Sequence, residues 1–269
     1  MPTLALDDID LYWERRGQGP RLLFVNGSAS TIESAAPLID EFAGQFEVVV
    51  HDQRGLGRTG VPERQPTMAD FARDAAALLD HVGWDQANVF GISFGGMVAQ
   101  ELAVTWPDRI DRLVLSCTSP GGEGGSSYPI DELADTPLDE RIEAWTRHLD
   151  VRFDEAWLAG HPGDRAIVGL LRTRLTQPKT EEQERGEWMQ VVARRGHDVW
   201  DRLGRVTSPT LVACGAYDGL APRANSEAIA SRIPDAELRC YEGGHLFVYQ
   251  DPQAMPDITA FLQKVRSTS

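Results

Sequence analysis

Apolar positions fall into two alternating periods through the first half of the chain. Short unbroken apolar runs at residues 21–26, 47–51, 87–92 and 112–118 predict buried strands. Between them the spacing changes to that of helices. One is predicted over 67–82, with Met68, Phe71, Ala75, Leu78 and Leu79 on one face, and another over 94–106. Strands alternating with helices of this length predict a mostly parallel sheet covered on both faces. The opening segment, 3–16, predicts a hairpin at one sheet edge. The sheet pattern resumes at 210–215 and 237–242, and a final helix is predicted over 255–265.

The middle of the chain follows another pattern. Residues 121–127 read Gly-Gly-Glu-Gly-Gly-Ser-Ser, a flexible loop and candidate hinge. Residues 139–196 then read as helices without strands. Their apolar positions are Ile142, Trp145 and Leu149, then Ile167, Leu170 and Leu171, then Trp188, Val191 and Val192. This divides the chain into a core domain, 1–120 with 197–269, and a helical cap inserted at 121–196.

Composition adds exclusions. The 269 residues suit one α/β domain with an insertion. A net charge of −15, from 26 basic and 41 acidic residues, argues against nucleic acid and anionic membrane surfaces as partners. Cys117, Cys214 and Cys240 match neither a disulfide framework nor metal-ligand spacing, and each is expected to be a buried core residue. Few cysteines and an N-terminus without signal-peptide features lead to the expectation of a cytoplasmic protein.

The candidate chemistry centres on Gly91-Ile92-Ser93-Phe94-Gly95-Gly96, between a strand and a helix. A serine at such a turn is held in a strained conformation. Its flanking glycines let backbone pass close by, and the helix start aims amide groups at an oxyanion formed beside it. Serine is a weak nucleophile and needs a base. His245, in Gly243-Gly244-His245-Leu246 after the last strand, is the candidate. Asp218, directly after the 210–215 strand, is the candidate acid that orients the imidazole. Parallel strands bring their ends to one sheet edge, and the order Ser93, Asp218, His245 is consistent with that placement. The amide of Phe94 and that of Ser28, in Asn26-Gly27-Ser28-Ala29 at the end of the third strand, are the candidate oxyanion donors.

Together these residues make the chain resemble the α/β-hydrolase superfamily over almost its whole length. It is most similar to the small bacterial esterases, enol-lactonases and cofactor-free haloperoxidase-like enzymes. The turn Asp52-Gln53-Arg54-Gly55-Leu56-Gly57-Arg58-Thr59 is similar to a structural motif of that family. One departure is Asn26-Gly27, where the family usually has His-Gly, a pair that supports the oxyanion loop. The resemblance implies a cap domain at the helical insertion. Serine at the elbow implies acyl transfer on a small-molecule ester or lactone through an acyl-enzyme, with no cofactor and no metal. A carbon–carbon bond hydrolase or lyase using the same triad, and a small-ligand receptor on the same scaffold, are the other readings. Oligomeric state is left open.

Overall fold

The computed structural model describes residues 2–133 and 136–264. Eight strands form one sheet: β1 (Thr3–Ala5), β2 (Asp10–Arg16), β3 (Arg21–Val25), β4 (Glu47–His51), β5 (Ala87–Ile92), β6 (Ile110–Ser116), β7 (Thr210–Gly215) and β8 (Glu237–Tyr241). Their spatial order is β1-β2-β4-β3-β5-β6-β7-β8. From β4 through β8 every pairing is parallel, and only the β1–β2 hairpin and its junction with β4 are antiparallel. The unbroken apolar runs have this cause: β3, β5, β6 and β7 are covered on both faces, so no position alternates outward to solvent.

Ten helices complete the described residues: α1 (Ala36–Ala43), α2 (Met68–His81), α3 (Phe94–Thr105), α4 (Leu138–Leu149), α5 (Glu155–Gly160), α6 (Pro162–Thr176), α7 (Glu181–Arg195), α8 (Arg223–Arg232), α9 (Phe247–Gln250) and α10 (Ala254–Gln263). The expected last helix is α10; Val265, its expected end, lies outside the described residues. One core layer joins α2, α3 and Ile229 of α8 to one sheet face, and the other joins α1 and α10 to the opposite face. No described helix is long and apolar enough to cross a membrane.

The Asp52–Thr59 turn is locked by its own side chains. Asp52 accepts the Ile32 and Arg58 amides at 2.7 and 2.9 Å, and Arg54 forks onto Asp74 with two 2.6 Å bonds. Removing Arg54 leaves the buried Asp74 carboxylate uncompensated, which costs roughly 3–5 kcal/mol, whereas Arg54 without Asp74 keeps Asp8 as a partner.

Between β6 and β7 the chain is helical, as the spacing predicts. Both ends of this segment meet: Gly121 bridges Asp198, and the Val199 amide donates to Pro120 O at 3.0 Å. The glycine run expected to be a flexible hinge is instead tightly folded. Gly121 has φ 74°, and a Cβ there would lie 2.0 Å from His197 O. Gly124 packs on Trp200 and Gly125 on Asn225, so these glycines serve close approach.

Burial differs from expectation on α6 and on β8. Leu170 is 73% exposed, because the inward face of α6 is formed by Ile167, Val168, Leu171 and Leu175. Cys117 and Cys214 are buried, but Cys240 is exposed, because β8 is the edge strand and its positions alternate.

Candidate active site

The loops that follow β3, β5, β7 and β8 converge above the C-terminal edge of the sheet. Ser93 follows β5 and forms the N-terminal cap of α3 with φ 56° and ψ −118°. This conformation is strained for a residue with a side chain, at about 1–3 kcal/mol. It is held by several bonds. The Ser93 amide donates to Ser116 O at 2.8 Å, and Ser93 O accepts from the Gly96 amide at 2.9 Å and the Thr118 hydroxyl at 2.8 Å. The tight turn requires the glycines: a Cβ on Gly95 would lie 2.1 Å from Val25 O.

The three candidate side chains converge. Ser93 Oγ lies 2.9 Å from His245 Nε2, and His245 Nδ1 lies 2.8 Å from Asp218 Oδ2. A carboxylate only accepts, so Nδ1 carries the proton and Nε2 presents its lone pair to the serine hydroxyl. The second carboxylate oxygen, Oδ1, accepts the Leu220 and Ala221 amides at 2.8 Å each, which fixes the acid's orientation. Asp218 and His245 are buried, whereas Ser93 is partly accessible.

Cys117 lies with Asp218 and His245, and the three donor atoms come within 4.8 Å of one another. Burial, and then the Asp218 charge, push the Cys117 thiol well above its ordinary pKa. The carboxylate and imidazole are already engaged in the relay. The set therefore has the chemistry of a protonated thiol beside a hydrogen-bonded dyad.

The segment from Asn26 to Ala29 runs beside the nucleophile. A Cβ on Gly27 would stand 3.6 Å from Ser93 Cβ. Two long-range contacts fix this loop. Gln53 Nε2 donates to Asn26 O at 2.5 Å, which joins the Asp52–Thr59 turn to it. The Ala29 amide donates to Gln190 Oε1 of α7 at 2.8 Å, and Ala29 itself has φ 50°. Gln190 is buried, and its Nε2, both side-chain polar atoms of Asn26 and Gln53 Oε1 have no partner among the described residues. The Gln190 contact spans 161 positions and has no counterpart in the spacing of either segment.

The helical segment also docks on the loops that carry the acid and the base. The C-terminal carbonyls of α4 accept their amides: His148 O from Gly219 at 3.0 Å, and Leu149 O from His245 at 2.6 Å. Helix ends leave such carbonyls unpaired, and here the site loops supply the donors. Leu149, Phe153 and Leu171 form a small apolar cluster with Leu220, two residues beyond Asp218.

Known proteins share this architecture. Residues 20–252 match the α/β-hydrolase fold family model. A poly(3-hydroxyalkanoate) depolymerase of Ectopseudomonas oleovorans is 30% identical over 98% of this chain and 93% of its own length. The 3-oxoadipate enol-lactonase 2 of Acinetobacter baylyi is 28% identical over 94% of this chain and 92% of its own. The crystal structure of a hydrolase from Pseudomonas aeruginosa superposes with a TM-score of 0.81 at 29% identity, covering 98% of both chains. The chain belongs to the α/β-hydrolase fold family, and it is a hydrolase.

Proposed function

We propose that the protein hydrolyses a small carboxylic ester or lactone by way of an acyl-enzyme, with Ser93 as nucleophile, His245 as general base and acid, and Asp218 as the group that holds the imidazole. The observation that carries this reading is the continuous relay from Ser93 Oγ through His245 to Asp218, at 2.9 and 2.8 Å, on a strained strand-to-helix turn. Relatives named as a depolymerase of a polyester and an enol-lactonase support the substrate class.

Ser93 Oγ attacks the acyl carbonyl while His245 Nε2 takes its proton. The Asp218 carboxylate stabilises the imidazolium that forms. The oxyanion is met by the amides of Phe94 and Ser28, which do not need to reorient as charge develops. When the tetrahedral adduct collapses, the carbon–oxygen bond to the leaving alkoxide breaks and His245 returns the proton to it. A water molecule, deprotonated by the same nitrogen, then attacks the acyl-enzyme; the bond from the acyl carbon to Ser93 Oγ breaks, His245 returns the proton to Oγ, and the acid leaves. Asn26 and Gly27 support the Ser28 loop, and Gln190 holds it from the helical side.

Residues 121–196 act in this reading as a lid over Ser93, supported by the α4 carbonyls on the acid and base loops and by Gln190 on the oxyanion loop. The core domain is then 1–120 with 197–269.

The test is Ser93→Ala on short p-nitrophenyl esters, with a fluorophosphonate probe on the unmodified protein. Turnover is expected to fall by several orders of magnitude in the variant, and the probe to label Ser93 alone. Near-normal hydrolysis by Ser93→Ala would overturn the assignment.

A further inference from the structure

A second recess lies between the helical segment and the core. It is a cavity of about 200 Å³, lined by Met97, Ser119, Ser127, Tyr128, Arg194 and His197 among others. It adjoins the nucleophile's support. Met97 is one turn along α3 from Ser93, and Ser119 follows Thr118, whose hydroxyl donates to Ser93 O.

The charges around this cavity do not balance. Arg195 and Asp131 pair with each other. Arg194 donates to Tyr128 O at 2.7 Å, and the carboxylate whose charge acts on it, Asp131, is already in contact with Arg195. Burial draws its pKa down to about 10, so it remains a cation at neutral pH. His197 adds no charge: burial lowers its pKa to about 4. The cavity wall therefore carries one net positive charge, set in a protein whose net charge is −15. A half-buried guanidinium with only a carbonyl partner retains most of its desolvation cost, and an entering anion offsets it.

Of the neighbouring polar groups, the Ser127 hydroxyl keeps a proton free to donate into the cavity when Ser119 Oγ, which accepts from Asn225, donates to it. Ser119 Oγ and Ser127 Oγ are 2.6 Å apart, and Asn225 Nδ2 donates to Ser119 Oγ at 2.8 Å. His197 Nε2 stands 3.1 Å from Ser119 O, which can only accept, so Nε2 holds the proton. The Nδ1 lone pair has no partner among the described residues.

We propose that Arg194 is the centre of a carboxylate subsite, so that the preferred substrate is an ester or lactone carrying a free carboxylate. This rests on the ester-hydrolase reading and deepens it. Arg194 is a specificity residue here: its guanidinium takes the substrate's remote carboxylate, and no bond is made or broken at it.

The experiment compares p-nitrophenyl butyrate with the mono-p-nitrophenyl ester of glutaric acid, in the unmodified protein and in Arg194→Met. The ratio of kcat/KM for the anionic ester to that for the neutral one is expected to fall about tenfold to a hundredfold in the variant, mainly through KM. Arg194→Lys is expected to recover part of it. An unchanged ratio overturns the subsite. A second measurement, independent of turnover, is calorimetric binding of glutarate to Ser93→Ala with and without Arg194→Met. Binding that depends on Arg194, even if neither ester is turned over, keeps the subsite while the hydrolase reading fails. Ester turnover together with glutarate binding indifferent to Arg194 does the reverse.

Discussion

The site depends on close backbone approach as much as on its three polar side chains. Gly95 packs against the end of β3, and the β3 end leads directly into the Asn26–Ala29 loop. A methyl group at Gly95 would have to displace Val25 O and Asn26 O, at 2.1 and 2.4 Å, and both are backbone atoms of a fully buried strand end. Gly95→Ala is therefore expected to lose about 3 kcal/mol or more of stability, a melting temperature lower by roughly 6–12 °C. Thermal unfolding followed by circular dichroism measures this, and a shift under one degree would contradict the packing argument. Asp218 presents the converse case. Its side chain is satisfied by two amides and one imidazole, so its position was foreseeable from the chain as a carboxylate just past a parallel strand. Such residues are legible because strand ends have a fixed place in a parallel sheet.

At the level of elements, α7 is the link between the helical segment and the Asn26–Ala29 loop beside Ser93. The apolar spacing read from the sequence there rests on Trp188, Val191 and Val192, but Gly186, Met189, Gln190 and Ala193 are the buried positions. The reason is physical. The helix buries a glutamine, because Gln190 exchanges a solvent hydrogen bond for the Ala29 amide, and a hydrophobic pattern gives no weight to that trade. Arg194 is hidden for the same reason, as a cation one turn beyond Gln190 reads as a solvated position. The expected outcome of Gln190→Leu is a fall in kcat of about tenfold to a hundredfold, with a smaller change in KM. Ala29 at φ 50° would lose the acceptor that holds it, and the Ser28 amide would lose its aim, while the relay from Ser93 to Asp218 stays intact. Steady-state kinetics on a short ester separates the two constants. A rise in KM alone would show that Gln190 only shapes the cleft.

Across the whole molecule, two histidines remote from the relay couple stability to pH. His51 ends β4 and His197 sits where the helical segment rejoins the core, and both are buried. Burial brings each to a pKa of about 4, assisted at His51 by the nearby Arg54. In the unfolded chain each titrates near 6.5. Between these values the unfolded state binds more protons than the folded one, so stability falls as pH drops from about 6.5 toward 4. The full effect is on the order of 3 kcal/mol for each histidine. His197→Gln isolates one share, because a glutamine amide can keep the donor to Ser119 O but takes up no proton. Urea unfolding at about pH 7 and about pH 5 is expected to show the unmodified protein losing roughly 2 kcal/mol more than the variant. Equal losses in the two proteins would mean that His197 is already protonated in the fold at pH 5, which would require water or a carboxylate at its unpaired Nδ1.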